Sequence, residues 1–209
     1  MIDWGFINWL NGIEGCGSNS PCINSSGKKH MNFFERYLNN GDIIVFSWWR
    51  QRVNIPQNNL PRIPNKKRIE ILENQLTTIA GIAIESKAKI VLADDIPITC
   101  MPGTNYKHFV LRLKQFEKCS VQESVSLEDR LGLTLLYRKL VDLHPDVFLY
   151  FDPHSSLCKN SQCGIFDKRQ EGNNRLLYGD EIGHFRPEYP DPLAITWRDY
   201  LKTIFRVKH

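Results

Sequence analysis

The chain has 209 residues, enough for a single domain with a buried core. Its 42% hydrophobic and 24% charged content fits a globular protein and excludes a chain too polar to fold. The formal net charge of +4 is spread without a dominant Lys/Arg block, which argues against a nucleic-acid partner, and no apolar run approaches the about 18 residues that a membrane span requires.

Residues 1–28 hold one short strand candidate, Trp4, Phe6, Ile7, Trp9 and Leu10. A loop rich in Gly, Ser and Asn follows, with Cys16 and Cys22 at its ends. No basic segment precedes an apolar one there, so no secretory signal is evident. Asn24-Ser25-Ser26 fits the glycosylation pattern, which matters only in a eukaryotic secreted protein. Met31 to Leu38 reads as a short helix, stopped by Asn39-Asn40-Gly41. Ile43-Ile44-Val45-Phe46 is a continuous apolar run of the kind found in buried parallel strands. It leads into Ser47-Trp48-Trp49-Arg50. The two indoles either pack at the strand end or form a platform on which a sugar stacks, with Arg50 donating hydrogen bonds beside it.

A polar loop with three prolines leads to Asn65, which is placed to cap a helix from Lys66 to about Lys87. Ile69, Leu72, Leu76, Ile79, Ala80 and Ala83 make its apolar stripe. Lys89 to Ala93 is the next strand, and Asp94 and Asp95 follow it. They occupy the carboxyl end of a strand, where open α/β sheets carry function. The competing reading is a solvated turn before Pro97. Cys100 to Cys119 encloses a basic insertion with Tyr106, His108 and Phe109, a lid over the sheet edge. A second long helix is expected from Ser126, with Glu128 and Asp129 in its first turn, to Leu143 before His144-Pro145. Val147 to Phe151 is the third strand. A closing helix runs from about Leu193 to Arg206 with Ala194, Trp197, Leu201 and Ile204 on one face. Strands alternating with helices of this length predict a three-layer, doubly wound, mostly parallel α/β sheet in one domain, 1–209.

The six cysteines fall into near pairs, Cys16/Cys22, Cys100/Cys119 and Cys158/Cys163. Local pairing of an even number favours disulfides and an oxidising compartment. Zinc held by Cys158, Cys163, His154 and His184 is the competing reading, against which the loop lacks C-x-x-C spacing. The expectation is therefore three disulfides, no metal and no cofactor.

The stretch Val147 to His184 carries the chemistry. An apolar strand ends in Asp152, a loop closed by Cys158 and Cys163 follows, and then come Leu177-Tyr178, Asp180, Glu181 and His184. A carboxylate near a histidine is what a serine-type acyl-transfer site needs: the acid orients the imidazole, and the imidazole takes the proton of a nucleophile. The run resembles the SGNH-type domain fused to membrane acyltransferase-3 proteins, which O-acetylate surface polysaccharides. That family has a strand, L-C-x4-C and L-Y-x-D-x-x-H, met here by Leu157-Cys158, Cys163, Leu177-Tyr178 and Asp180. His184 stands one residue later than the pattern, so Glu181, three residues before it, is an alternative acid to Asp180. The run around Ser47 and the run before Pro97 also resemble family strands, and the likeness extends over about residues 16 to 206.

The resemblance implies an SGNH-hydrolase or flavodoxin-like fold and a glycan or polysaccharide partner. It implies an extracytoplasmic, periplasmic location, with the membrane acyltransferase segment outside this sequence. Asp180 and His184 are the implied catalytic pair, and Ser47, Trp48, Trp49 and Arg50 the implied substrate-binding group. Family members carry their nucleophile in a G-D-S motif after the first strand. This sequence contains no G-D-S. An N-terminally incomplete sheet is therefore expected, with the nucleophile unassigned. Ser18 and Ser20 in the Gly-rich loop are weaker candidates, and Ser155 and Ser156 read as turn caps. The alternative function is an inactive remnant or glycan-binding module.

Overall fold

A computed structural model describes residues 34–47, 54, 61–97, 120–164, 166–167, 175–176 and 192–205. A helical turn at 34–37 leads into β1 (Ile43–Ser47). Then come α1 (Lys66–Ser86), β2 (Lys89–Ala93), β3 (Ser120–Gln122), α2 (Glu123–Leu143) and β4 (Phe148–Phe151). The remainder is α3 (His154–Leu157), β5 (Cys158–Lys159), β6 (Gln162–Gly164), β7 (Phe166–Asp167), β8 (Arg175–Leu176) and α4 (Pro192–Phe205). The expected strand at 4–10 and the insertion with Tyr106, His108 and Phe109 lie outside the described residues.

The main sheet has the order β1-β2-β4, and all its pairs are parallel. Ile43 pairs with Lys89, and Ile90 with Phe148, so the three strands end together near Ser47, Ala93 and Phe151. Residues alternate between the two faces of each strand. Ile44, Phe46, Ile90, Leu92, Phe148 and Tyr150 pack with α1 and α2. Ile43, Val91, Ala93, Leu149 and Phe151 face the other way, with Trp197, Tyr200 and Ile204 of α4. The chain steps in one direction across the sheet from β1 to β4. Crossovers of one hand therefore put α1 and α2 on the same face, and α4 covers the opposite one. The architecture is the expected α/β one, with a parallel sheet between helices.

Local chemistry explains the helix limits. The Asn65 side chain accepts a hydrogen bond from the Arg68 N–H at 3.2 Å, the N-cap expected of it. At the other end Lys87 adopts a left-handed conformation, φ 56°, and Ala88 N–H returns to the Ala83 carbonyl. The α1 stripe is buried at Leu72, Leu76, Ile79, Ala80 and Ala83, with Ile69 packed at its rim.

Two expectations are corrected. Helix α2 begins at Glu123, not at Ser126, because strand β3 delivers the chain straight into it and Glu123 N–H donates to the Ser161 carbonyl. Ser126 and Asp129 are consequently interior helix residues, both buried, rather than the start and first turn of the helix. The β1 run is also less buried than its continuous apolar sequence suggests. Phe46 is buried and Val45 exposed, because among the described residues β1 is the outer strand of its sheet.

A smaller antiparallel sheet of order β3-β6-β5 sits beside the N-terminus of α2. Cys158 pairs with Cys163 and Lys159 with Gln162, leaving Asn160 and Ser161 as a two-residue turn with φ of 52° and 58°. Positive φ at both positions is the type I′ geometry that suits the strand twist of a tight hairpin. The loop expected between the two cysteines is thus a hairpin, extended by β3 along its other edge. Beyond it, β7 and β8 form an antiparallel pair, Phe166 opposite Leu176.

Candidate functional site

The carboxyl ends of the parallel strands hold a buried polar node. Asp94 follows β2 and is buried, which overturns the reading of a solvated turn. Its carboxylate accepts hydrogen bonds from Thr134 Oγ1 at 2.6 Å and Tyr150 OH at 2.5 Å, while the Asp95 N–H reaches its other oxygen at 2.8 Å. Arg130 Nη1 lies 3.2 Å from the same carboxylate. Arg130 also forks onto Asp152, just past β4, with Nη1 and Nη2 at 2.8 and 3.1 Å from its two oxygens. The His154 backbone N–H completes the Asp152 shell at 2.9 Å. One guanidinium therefore ties together α2, the end of β2 and the turn after β4. A buried carboxylate persists only with such partners.

The node's charges are fixed rather than mobile. Burial alone would lower the Arg130 pKa, but its hydrogen bonds to Asp152 and the charges of Asp94 and Asp152 more than offset this and raise it. Burial likewise opposes ionisation of Asp152, yet the Arg130 fork, the His154 N–H and the Arg130 charge hold it below the ordinary carboxylate range. Burial, then the neighbouring Asp94 charge, pushes the Tyr150 phenol well up. Near neutral pH Arg130 and Asp152 stay ionised and Tyr150 stays protonated. The node positions backbone, with Asp94 and Asp152 each accepting a backbone N–H.

Next to it lies a histidine cluster. His154 is buried on the one-turn helix α3, with Nε2 3.2 Å from Ser126 Oγ and Nδ1 3.6 Å from Glu123 Oε1. Serine, histidine and acid in this order match the roles of a nucleophile, a base and an orienting group. Ser126 is 1% exposed and His154 2%, so a substrate carbonyl has no approach to that hydroxyl. The contact is a buried hydrogen bond that packs α2 against α3. Ser156 caps locally as expected, donating to the Pro153 carbonyl at 2.7 Å.

Cys158 and Cys163 form the predicted disulfide, across the hairpin pair. This occupies both thiols that the zinc reading required. Ser47, the first member of the expected glycan-binding group, is exposed at the end of β1, opposite Ala93 in the register. Trp48, Trp49 and Arg50 lie outside the described residues, as do Asp180, Glu181, His184, Cys16, Cys22, Cys100 and Cys119.

A clamp on α2 holds Asn54 and the 61–64 segment. Asp129 accepts hydrogen bonds from the Arg62 N–H, Nε and Nη2 at 2.7, 3.0 and 2.8 Å. Its own carbonyl accepts from Asn54 Nδ2 at 2.7 Å, and Asn54 bridges to Pro64. Neither this clamp nor Arg130 was foreseen from sequence. The signal was present: Leu133, Leu136, Tyr137 and Leu140 are the buried stripe of α2, and stepping back by three and four gives Arg130, Asp129 and Ser126. Polar residues on an inward stripe mark a buried polar site.

Comparison with known proteins gives two matches. The sequence model of a family described as "SGNH domain (fused to AT3 domains)" matches residues 7–189. Among solved structures, the periplasmic domain of a lipopolysaccharide acetyltransferase from Salmonella ser. Paratyphi A superposes with a TM-score of 0.55 at 15% identity. The superposition covers 84% of this chain and 62% of that one, so this chain spans under two thirds of its neighbour's length. No curated protein sequence matches significantly. Among the described residues, no helix is long and apolar enough to cross a membrane.

Proposed function

This chain belongs to the family of SGNH domains fused to AT3 domains, and on that premise we propose that it handles O-acetyl groups on cell-surface polysaccharide outside the cytoplasm. The observation that carries the reading is the match over residues 7–189, which spans the Asp180 and His184 motif as well as the strands that frame the site. The Salmonella neighbour, a periplasmic domain of a lipopolysaccharide acetyltransferase, supports the same substrate class. In this reading a serine attacks the acyl carbonyl. His184 takes its proton as general base and returns it to the leaving oxygen, and Asp180 or Glu181 orients the imidazole. Trp48, Trp49 and Arg50 receive the sugar beside Ser47. An acyltransferase-3 membrane segment is the partner that supplies or accepts the acyl group.

A second reading rests on a specific observation: the sequence contains no G-D-S triplet. A domain that keeps Trp48, Trp49 and Arg50 for the sugar and acts without a nucleophile of its own would bind glycan and present it to a catalytic partner. Turnover of a small acetyl ester by the purified chain separates the two. The enzymatic reading expects His184→Ala to lower turnover by about 10²–10⁴-fold. Equal turnover in parent and variant rules out the role given to His184. Absence of turnover and of serine labelling by a fluorophosphonate, with glycan binding retained, selects the second reading.

A further inference from the structure

The buried histidine and the hairpin disulfide form a cluster that the proposed chemistry does not use. His154 Nδ1 and Nε2 lie 3.6 and 3.7 Å from Cys158 Sγ, and Nε2 lies 3.8 Å from Cys163 Sγ. One ligand atom from each of the three residues falls within 4.8 Å of the others. A tetrahedral zinc ion with Zn–S of about 2.3 Å and Zn–N of about 2.0 Å holds a sulfur and a nitrogen about 3.6 Å apart. Nε2 stands near that separation from both sulfurs, and Ser126 Oγ, 3.2 Å from the same nitrogen, is the partner that a bound cation displaces. Beyond the ring, Glu123 Oε1 is 3.6 Å from Nδ1. A carboxylate on the Nδ1 side of a histidine that gives Nε2 to the metal is the usual outer support of a zinc site. Cys163 and His154 are buried, whereas Cys158 and the Glu123 carboxylate are partly exposed and leave an approach from solvent.

We propose that reduction of Cys158–Cys163 converts this cluster into a site for zinc or a similar thiophilic divalent cation, with Cys158, Cys163 and His154 as ligands and Glu123 orienting the imidazole. A dithiol reductant supplies two electrons and two protons. The S–S bond breaks, two thiols form, and the reductant closes to its own disulfide. Binding of the cation then releases the two thiol protons, since thiolate is the ligand. The sulfurs part to the about 3.8 Å that two thiolates keep on one zinc. Each sulfur needs only a side-chain rotation, because the hairpin backbone already places the two Cα atoms opposite each other at 4.3 Å. Disulfide and metal exclude each other, so the hairpin is closed by one or the other according to the redox state.

The test uses the full chain, reduced with dithiothreitol, desalted without oxygen and titrated with zinc. The reduced parent is expected to retain one more zinc ion per chain than the Cys158→Ser/Cys163→Ser variant, which controls for the other cysteines. The oxidised parent is expected to bind none at this site. His154→Asn should weaken the extra ion at least tenfold, and Glu123→Gln by about tenfold. Equal zinc in reduced parent and double variant overturns the proposal. A second measurement needs no variant: zinc should protect Cys158 and Cys163 of the reduced parent from alkylation, read peptide by peptide by mass. Unchanged alkylation of these two residues overturns the proposal even if the variants fail to fold.

Discussion

Arg130 holds two carboxylates with one charge, Asp94 at 3.2 Å and Asp152 through a fork at 2.8 and 3.1 Å. Replacing it leaves two carboxylates without their cation, one of them fully buried. Arg130→Met keeps the packing of the stem and should cost about 3–5 kcal/mol in denaturant unfolding. A loss under about 1 kcal/mol would show that Thr134 and Tyr150 suffice for Asp94. Asp152 gives a pH signature. Its folded-state pKa lies below its unfolded value, so its contribution is present above the ordinary carboxylate pKa of about 4 and is lost as pH falls through the folded value. Acid unfolding of Asp152→Asn should therefore be less steep below about pH 4 than that of the parent. Parallel profiles would contradict the pairing with Arg130.

Helix α2 joins the two halves of the site. Its C-terminal half packs Leu133, Leu136, Tyr137 and Leu140 into the core, while its N-terminal half presents Arg130 to the strand ends, Asp129 to Arg62 and Asn54, and Ser126 to His154. Gly132 lies where α2 passes the 61–64 segment. A Cβ there would fall 2.6 Å from Pro64 Cγ and 2.7 Å from Pro64 Cβ. Alanine gains about 1 kcal/mol of helix propensity over glycine. The proline ring cannot turn aside, and its segment is held by the Asn54 bridge and the Arg62–Asp129 clamp. Steric overlap should win, so Gly132→Ala is expected to destabilise by about 1–3 kcal/mol. A variant more stable than the parent would show that the 61–64 segment yields easily.

At the scale of the molecule, apolar periodicity carries most of the prediction. The α1 stripe, the Asn65 cap, the β2 run and the Trp197 face of α4 were legible because burial and local capping leave residue-by-residue patterns. Cys158 and Cys163 were legible as a pair because their separation is short and local. The Asp94–Arg130–Asp152 node was not. Its members come from three segments, and what joins them is the parallel register that brings Ala93 beside Phe151. The start of α2 was misplaced for a related reason: β3 becomes a strand by pairing with β6 some forty residues later, a tertiary choice that local propensity does not record. The motif at Asp180 and His184 was read from resemblance, and the family match covers the residues that carry it.

The central claim concerns acyl groups on surface polysaccharide, and the most direct measurement is made in the source cells. His184→Ala is introduced at the chromosomal locus, the surface polysaccharide is purified, and its ester-linked acetate is released by mild base and quantified. The account predicts loss of the acetate that depends on this protein, with the variant protein present at parental abundance. Acetate content equal to the parent's, at equal abundance, would contradict it.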